Sequence, residues 1–181
     1  MKRLPAEWEP QDAVLLTWPH PQTDWAPILE PVETVFLKLI KAITRFERVI
    51  LAAQDTEAVR EKCRVHGIIM DALSLFTIPS NDTWARDFGP ITVLCDGKPL
   101  LLDYQFNGWG GKFSAELDNQ ITSVLHQKGA FGATPRQNGN LILEGGSIES
   151  DGEGTLLTTS QCLLNPNRNP SISKTLLEKN L

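Results

Sequence analysis

One order of elements runs twice through this chain of 181 residues: a strand, an acid, a glycine two residues on, a hairpin closed by Asp-Gly, a loop and a helix. Asp87 precedes Gly89 in the first copy and Glu144 precedes Gly146 in the second; both pairs are offset by 57 residues. A repeat of this length points to modules set radially or in an array. Equivalent modules send Asp87 and Glu144 from equivalent strand ends toward a shared centre, where two carboxylates converge on one pocket. The competing reading is an α+β protein in which two hairpins of similar size recur by chance.

Apolar periodicity fills in the rest. Ala13 to Trp18 reads as a short buried strand, ended by Pro19 and Pro21. Ile28, Leu29, Val32, Val35, Phe36, Leu39, Ile40 and Ile43 recur at helical spacing. Arg48 to Ala53 is a strand, and Asp55 caps a helix that runs through Cys63 and Val65 to the stop at Gly67. Leu73 to Ile78 is the strand that leads into Asn81–Pro90. Ile91 to Cys95 and Leu100 to Phe106 flank Asp96-Gly97, a strong hairpin signal. Asn107 to Gly111 is a Gly-rich loop carrying Trp109; it lacks the Lys-Ser or Lys-Thr of a phosphate-binding loop. Further expectations are a helix over Ala115 to Lys128, a strand over Asn140 to Leu143, a hairpin around Asp151-Gly152 and a helix beginning at Ser171. The fold class that follows is α/β (α+β).

Bulk properties remove several function classes. With 41% hydrophobic and 22% charged residues the chain buries a real core. A net charge of −5 argues against nucleic acid and suits cationic small molecules. No 18-residue apolar stretch marks a membrane span, and MKRLPAEWEP has no apolar leader core. Cys63, Cys95 and Cys162 are odd in number and widely spaced, which fits reduced thiols in the cytoplasm better than disulfides or zinc. His20, His66 and His126 stand far apart and read as exposed or structural, and Cys162 reads as a structural thiol at a strand exit.

The chemistry concentrates in Asn81-Asp82-Thr83-Trp84-Ala85-Arg86-Asp87-Phe88-Gly89-Pro90. Turn propensity explains Asn81, Asp82, Gly89 and Pro90 but not a Trp and an ionisable trio at the mouth of a strand. Asp87 with Glu144 suits a planar cation, because a guanidinium presents a fork of N–H donors that carboxylates accept in pairs. Trp84 is placed to stack on such a cation, worth about 1–2 kcal/mol when desolvated. The bland readings are a salt bridge from Asp87 to Arg86, a strand-end acid at Glu144, and rim or core aromatics at Trp84 and Trp109. Paired carboxylates also serve glycoside hydrolysis, but nothing here is specific for sugar.

Six collinear blocks carry a resemblance: PAEWEP at 5–10, TWP at 17–19, NDTWARDFGP at 81–90, FNGWGG at 106–111, LEGGSI at 143–148 and CLLNPNRNP at 162–170. On these the chain resembles the agmatine deiminases, also called Porphyromonas-type peptidyl-arginine deiminases, of the guanidino-group-modifying superfamily. The resemblance implies a pseudo-fivefold α/β propeller of ββαβ-type modules and a hydrolase that uses no metal or organic cofactor. In such enzymes a Cys thiolate attacks the guanidinium carbon, ammonia leaves, and water hydrolyses the amidino-thioether with a His as acid and base. By motif, Asp87 and Glu144 are the guanidinium-binding and catalytic carboxylates, Trp84 lines the pocket, and Trp109 is a further substrate contact.

The family's His-x-Asp motif and its Gly-rich Cys loop do not occur in these residues. The expectation is therefore a single incomplete domain over 1–181, the N-terminal part of a deiminase that is inactive alone. Its substrate is agmatine, with peptidyl or free arginine as the alternative. A non-catalytic guanidinium-binding or complementing fragment, joined by a homo-oligomer or by the missing portion, is the reading from another class.

Overall fold

The computed structural model describes residues 2–180. The strands are β1 (Lys2–Arg3), β2 (Ala13–Thr17), β3 (Arg48–Ala53), β4 (Leu73–Thr77), β5 (Ile91–Cys95), β6 (Lys98–Gln105), β7 (Arg136–Ile142), β8 (Ile148–Ser150) and β9 (Leu156–Thr158). The α-helical segments are α1 (Leu29–Ile43), α2 (Thr56–Val65), α3 (Ala85–Phe88), α4 (Gly108–Gly111), α5 (Ile121–Gln127), α6 (Ser160–Leu163) and α7 (Lys174–Asn180). The described residues form two compact units, one of 10–85 with 123–131, the other of 2–9 with 86–122 and 132–180.

In the first of these, β2, β3 and β4 make a parallel sheet in that order, with Ala13 beside Arg48 and Val49 beside Leu73. Parallel neighbours need crossovers, which α1 and α2 supply. The periodic stretch becomes α1 and buries Leu37 and Ile40. Asp55 caps α2 by accepting from the Ala58 amide at 3.0 Å, and Gly67 ends it at φ +65°. Central strand β3 is buried from Val49 to Ala53, the unbroken apolar run expected of a parallel strand covered on both faces. Trp18, Leu37, Ile40, Leu51, Val59 and Cys63 share one core with it. Glu33 of α1 pairs with Lys62 of α2 and accepts from the Trp18 indole at 3.2 Å, tying the helices together.

The other unit holds a four-stranded sheet of order β1-β5-β6-β7, antiparallel except for the parallel β6–β7 pair. Asp96 at φ 50° and Gly97 at φ 78° close the β5–β6 hairpin, since both central residues of a type I′ turn need positive φ. Strand β7 starts at Arg136, four residues before the apolar pattern does. Tertiary partners hold its polar start: Arg136 pairs with Asp103 and reaches Asn138 at 2.8 Å. Bare Gly139 leaves room for the Tyr104 ring, which an added Cβ would strike. Strands β8 and β9 pair antiparallel around Asp151, which accepts from the amides of Glu153 and Thr155 at 2.8 and 2.9 Å. Leu141, Leu143, Ile148, Leu163 and Leu177 form a core here.

Three boundaries differ from expectation. The helix awaited over Ala115 to Lys128 is a 3-10 turn (Asp118–Gln120) followed by α5. Helix α7 starts three residues after Ser171, where the Ser173 hydroxyl accepts from the Leu176 amide at 3.3 Å. Cys162 lies in α6, not at a strand exit, because Thr159 caps that turn by accepting from the Cys162 amide at 3.3 Å. Along the chain the elements run β4, Asp87, Gly89, β5–β6, α4, α5, and then β7, Glu144, Gly146, β8–β9, α6, α7.

Candidate functional site

Asp87 sits in the single turn α3, anchored by the buried Phe88 beside it. Its Oδ2 accepts from Nε1 of Trp109 at 3.1 Å and its Oδ1 from the Gly146 amide at 3.0 Å. Arg86 turns elsewhere, to Glu7 at 2.6 Å and the Ile148 carbonyl at 3.2 Å. The side chains of Asp87 and Arg86 therefore serve different ends. Two glycines make the approach possible: a Cβ on Gly145 would strike the Arg86 carbonyl oxygen, and one on Gly146 would strike Oδ1 of Asp87. The Glu-Gly-Gly block of the second module thus closes on the Asp of the first.

Trp109 reaches Asp87 from the Gly-rich segment, which folds as one helical turn with Trp109 at φ 58°, ψ 46° and Gly110 at φ 82°. Left-handed backbone is rare for a bulky residue and costs about 1–3 kcal/mol, so it persists only where its surroundings impose it. Asn107 imposes part of it by accepting from the Gly110 amide at 2.9 Å. Phe106 and Phe113 impose more, meeting the Trp109 ring edge to face at 5.0 and 5.7 Å. A surface depression of about 560 Å³ adjoins this segment, lined by Phe106, Asn107, Phe113, Glu116 and Asn119 among others.

Glu144, 3% exposed, leaves the end of β7 and opens the turn that contains Gly145 and Gly146. A buried carboxylate needs a partner. Nε of Arg168 donates to both Glu144 oxygens, at 2.7 and 3.0 Å, from a side chain only 9% exposed. The next residue, Asn169, braces the same strand end by bonding both the amide and the carbonyl of Ile142, at 3.0 and 2.9 Å. The carboxamide acts there as a strand neighbour. Neither role is visible in the sequence, although Asn-Arg-Asn-Pro stands out as a turn-rich block.

Asp87, Glu144 and Trp109 thus belong to one unit. Trp84 belongs to the other and is 46% exposed. Its Nε1 donates to Asp82 at 3.1 Å, and its ring lies 5.8 Å from that of Trp25, which in turn donates to Thr83 at 2.9 Å. His20 is buried there against Ser80, Gln22 and Gln54, a structural histidine. Burial pushes the Cys63 thiol up to about 11, which leaves it protonated at neutral pH and a poor nucleophile. Among the described residues no group of three or more His, Cys, Asp or Glu is placed to hold a metal ion.

Chemically, the Arg168–Glu144 pair is neutral as a unit, whereas the two hydrogen bonds described at Asp87 come from uncharged donors. A half-buried carboxylate with both oxygens ordered and an aromatic cluster alongside has the acceptor geometry that planar N–H donors can meet. The chain belongs to the Porphyromonas-type peptidyl-arginine deiminase family, whose model matches residues 3–181. It is 35% identical over 188 residues to an agmatine deiminase of Pseudomonas aeruginosa, covering 99% of this chain and 49% of that protein. Among solved structures it is similar to an agmatine deiminase of C. jejuni with substrate bound (36% identity, TM-score 0.88, 99% of this chain and 52% of that one). It is likewise similar to an agmatine deiminase of Enterococcus faecalis (31% identity, TM-score 0.83, 98% and 49%). The chain spans about half the length of these relatives.

Proposed function

We propose that this chain is the guanidinium-binding part of an agmatine deiminase, a single domain of which these residues form the N-terminal portion. The complete enzyme converts agmatine and water to N-carbamoylputrescine and ammonia by way of a Cys thiolate, in the cytoplasm and in the service of putrescine formation. The observation that carries the reading is Asp87, its two oxygens set by Trp109 and Gly146 next to the Glu144 turn. Asp87 anchors the guanidinium, Trp109 supplies aromatic surface beside it, and Glu144 supplies the second carboxylate. Holding the cation in one orientation is the chain's share of catalysis. No His-x-Asp and no Gly-rich Cys occurs among the 181 residues, so this stretch binds and does not turn over.

Agmatine is favoured over arginine by the fate of the two arginines nearest the motifs. Arg168 is buried against Glu144 and Arg86 faces Glu7, so each already has a carboxylate partner within the chain. Titration calorimetry with agmatine tests the reading: binding that disappears in Asp87→Asn supports it, and no heat at millimolar ligand rejects it. Ammonia release by the purified chain would overturn the assignment of binding without turnover.

The same residues fit a partial propeller that a further portion completes. The hairpin β5–β6 is flanked by β1 and β7, whereas among the described residues β8 and β9 pair only with each other. Open strand edges favour association. Light scattering that finds only monomer, alone and with the C-terminal half of a family member, would count against this.

A further inference from the structure

We propose that Arg168 is the positioning residue of this pocket: it orients Asp87 from two sides and so makes the site prefer a guanidino ligand to an amino one. The inference rests on the guanidinium-binding reading above and adds a residue and a selectivity to it.

The contacts close a ring. On one side Arg168 holds Glu144 through both carboxylate oxygens. Glu144 opens the turn whose Gly146 amide donates to Oδ1 of Asp87. On the other side Asn167 and Arg168 lie under the Trp109 turn. A Cβ on Gly110 would stand 3.2 Å from Cβ of Asn167 and 3.4 Å from Nη1 of Arg168. Asn107 donates to the Asn167 carbonyl at 2.9 Å, fastening the same two segments. That floor helps keep Trp109 in its left-handed conformation, from which Nε1 reaches Oδ2 of Asp87. Each Asp87 oxygen is therefore fixed by an element that leans on Arg168.

The arrangement has a consequence for charge and for shape. Arg168 offsets the charge of Glu144, so an incoming cation meets the stronger attraction at Asp87, while the Glu144 oxygens keep lone pairs as a second, weaker acceptor. Two fixed oxygens accept a planar fork of N–H donors well, while an ammonium, a rotatable point charge, gains little from a fixed carboxylate plane. Losing the orientation of Asp87 should therefore cost a guanidino ligand more than an amino ligand. Lysine at 168 keeps the positive charge but lacks the planar Nε donor that Glu144 accepts.

The test is calorimetric titration of the full chain with agmatine and with cadaverine, a diamine of similar length, alongside thermal melts. The wild type is expected to bind agmatine roughly tenfold tighter than the diamine, the scale of one charge-assisted hydrogen bond. In Arg168→Lys the two affinities should converge to within about twofold, and in Asn107→Ala the ratio should move the same way. An unchanged ratio in Arg168→Lys, with both affinities or the melting temperature falling together, overturns the proposal and leaves a structural ion pair. If Arg168→Lys does not fold, Asn107→Ala decides: an unchanged ratio there overturns it as well. Loss of agmatine binding in Asp87→Asn with an unchanged ratio in Arg168→Lys sinks this inference alone, whereas a wild type that binds no agmatine sinks both readings.

Discussion

Nε1 of Trp109 donates to Oδ2 of Asp87 across 3.1 Å, from a backbone held at φ 58° and ψ 46°. The strain and the bond belong together. In an ordinary helical turn the indole would leave along a different direction, and the carboxylate would lose its side-chain donor. The aromatic neighbours Phe106 and Phe113 contribute the packing that offsets the cost of that backbone.

Trp109→Phe separates the donor from the ring. Packing against Phe106 and Phe113 largely survives, so the cost to stability should be chiefly that of the lost bond to a charged acceptor, about 1.5–3 kcal/mol. Agmatine affinity should drop about tenfold, roughly 1.4 kcal/mol, alongside that loss of stability. Equal affinity in the two proteins would remove Trp109 from the pocket.

Glu144→Ala asks what the buried ion pair does for the fold. It leaves the Arg168 guanidinium, 9% exposed, without its carboxylate. Breaking a buried pair from one side costs about 3–5 kcal/mol, more than either partner contributes net when paired. Urea unfolding should show that loss in the midpoint. Replacing both residues together, Glu144→Leu with Arg168→Met, should recover much of it, because no buried charge then stands alone.

Elements held by local pattern were legible in the sequence. The α1 periodicity, the Asp55 cap and the Asp96-Gly97 hairpin appear where their side chains dictate. Asp87, Glu144 and Trp109 were legible as candidates because a repeat and an aromatic in a Gly-rich segment drew attention to them. What was hidden acts over distance. Arg168 finds Glu144 across 24 residues and Asn169 finds Ile142 across 27, and no periodicity encodes such pairs. The polar start of β7 was hidden for the same reason, since its strand conformation depends on Asp103 and Tyr104. The left-handed Trp109 was hidden because sequence assigns that backbone to Gly, Asn or Asp.

Gly145→Ala tests whether the two modules must touch. The new methyl would meet the Arg86 carbonyl oxygen, a backbone atom with no rotamer to yield. Overpacking of this kind costs about 1–3 kcal/mol, and relief requires the 144–147 turn to back away from α3. Agmatine binding should therefore weaken along with stability. A substitution tolerated in both measurements would show that the close approach of the turn to Arg86 is dispensable.

Acid should loosen the strand-rich unit through Glu9 and Asp151. Arg3 grips Glu9 with bonds of 2.5 and 2.9 Å, and the Ala6 amide adds another at 2.8 Å. The Arg3 bonds first, and the Ala6 amide after them, hold the Glu9 carboxyl below its ordinary value of 4.5. The Thr155 side chain, then the Glu153 and Thr155 amides, hold Asp151 below its ordinary 3.8. Groups depressed in the folded state contribute stability that is present above their unfolded values and lost as pH falls through the folded ones. Unfolding free energy should therefore carry no loss from these two groups between neutrality and about pH 5, then decline below about pH 4. Glu9→Gln removes one of the two titrations and should flatten that decline while lowering stability at pH 7. Urea titrations at pH 7, 5 and 3.5 measure both limbs. An acid limb of unchanged slope in Glu9→Gln would mean that the Arg3–Glu9 clasp at the chain's beginning does not guard the fold against acid.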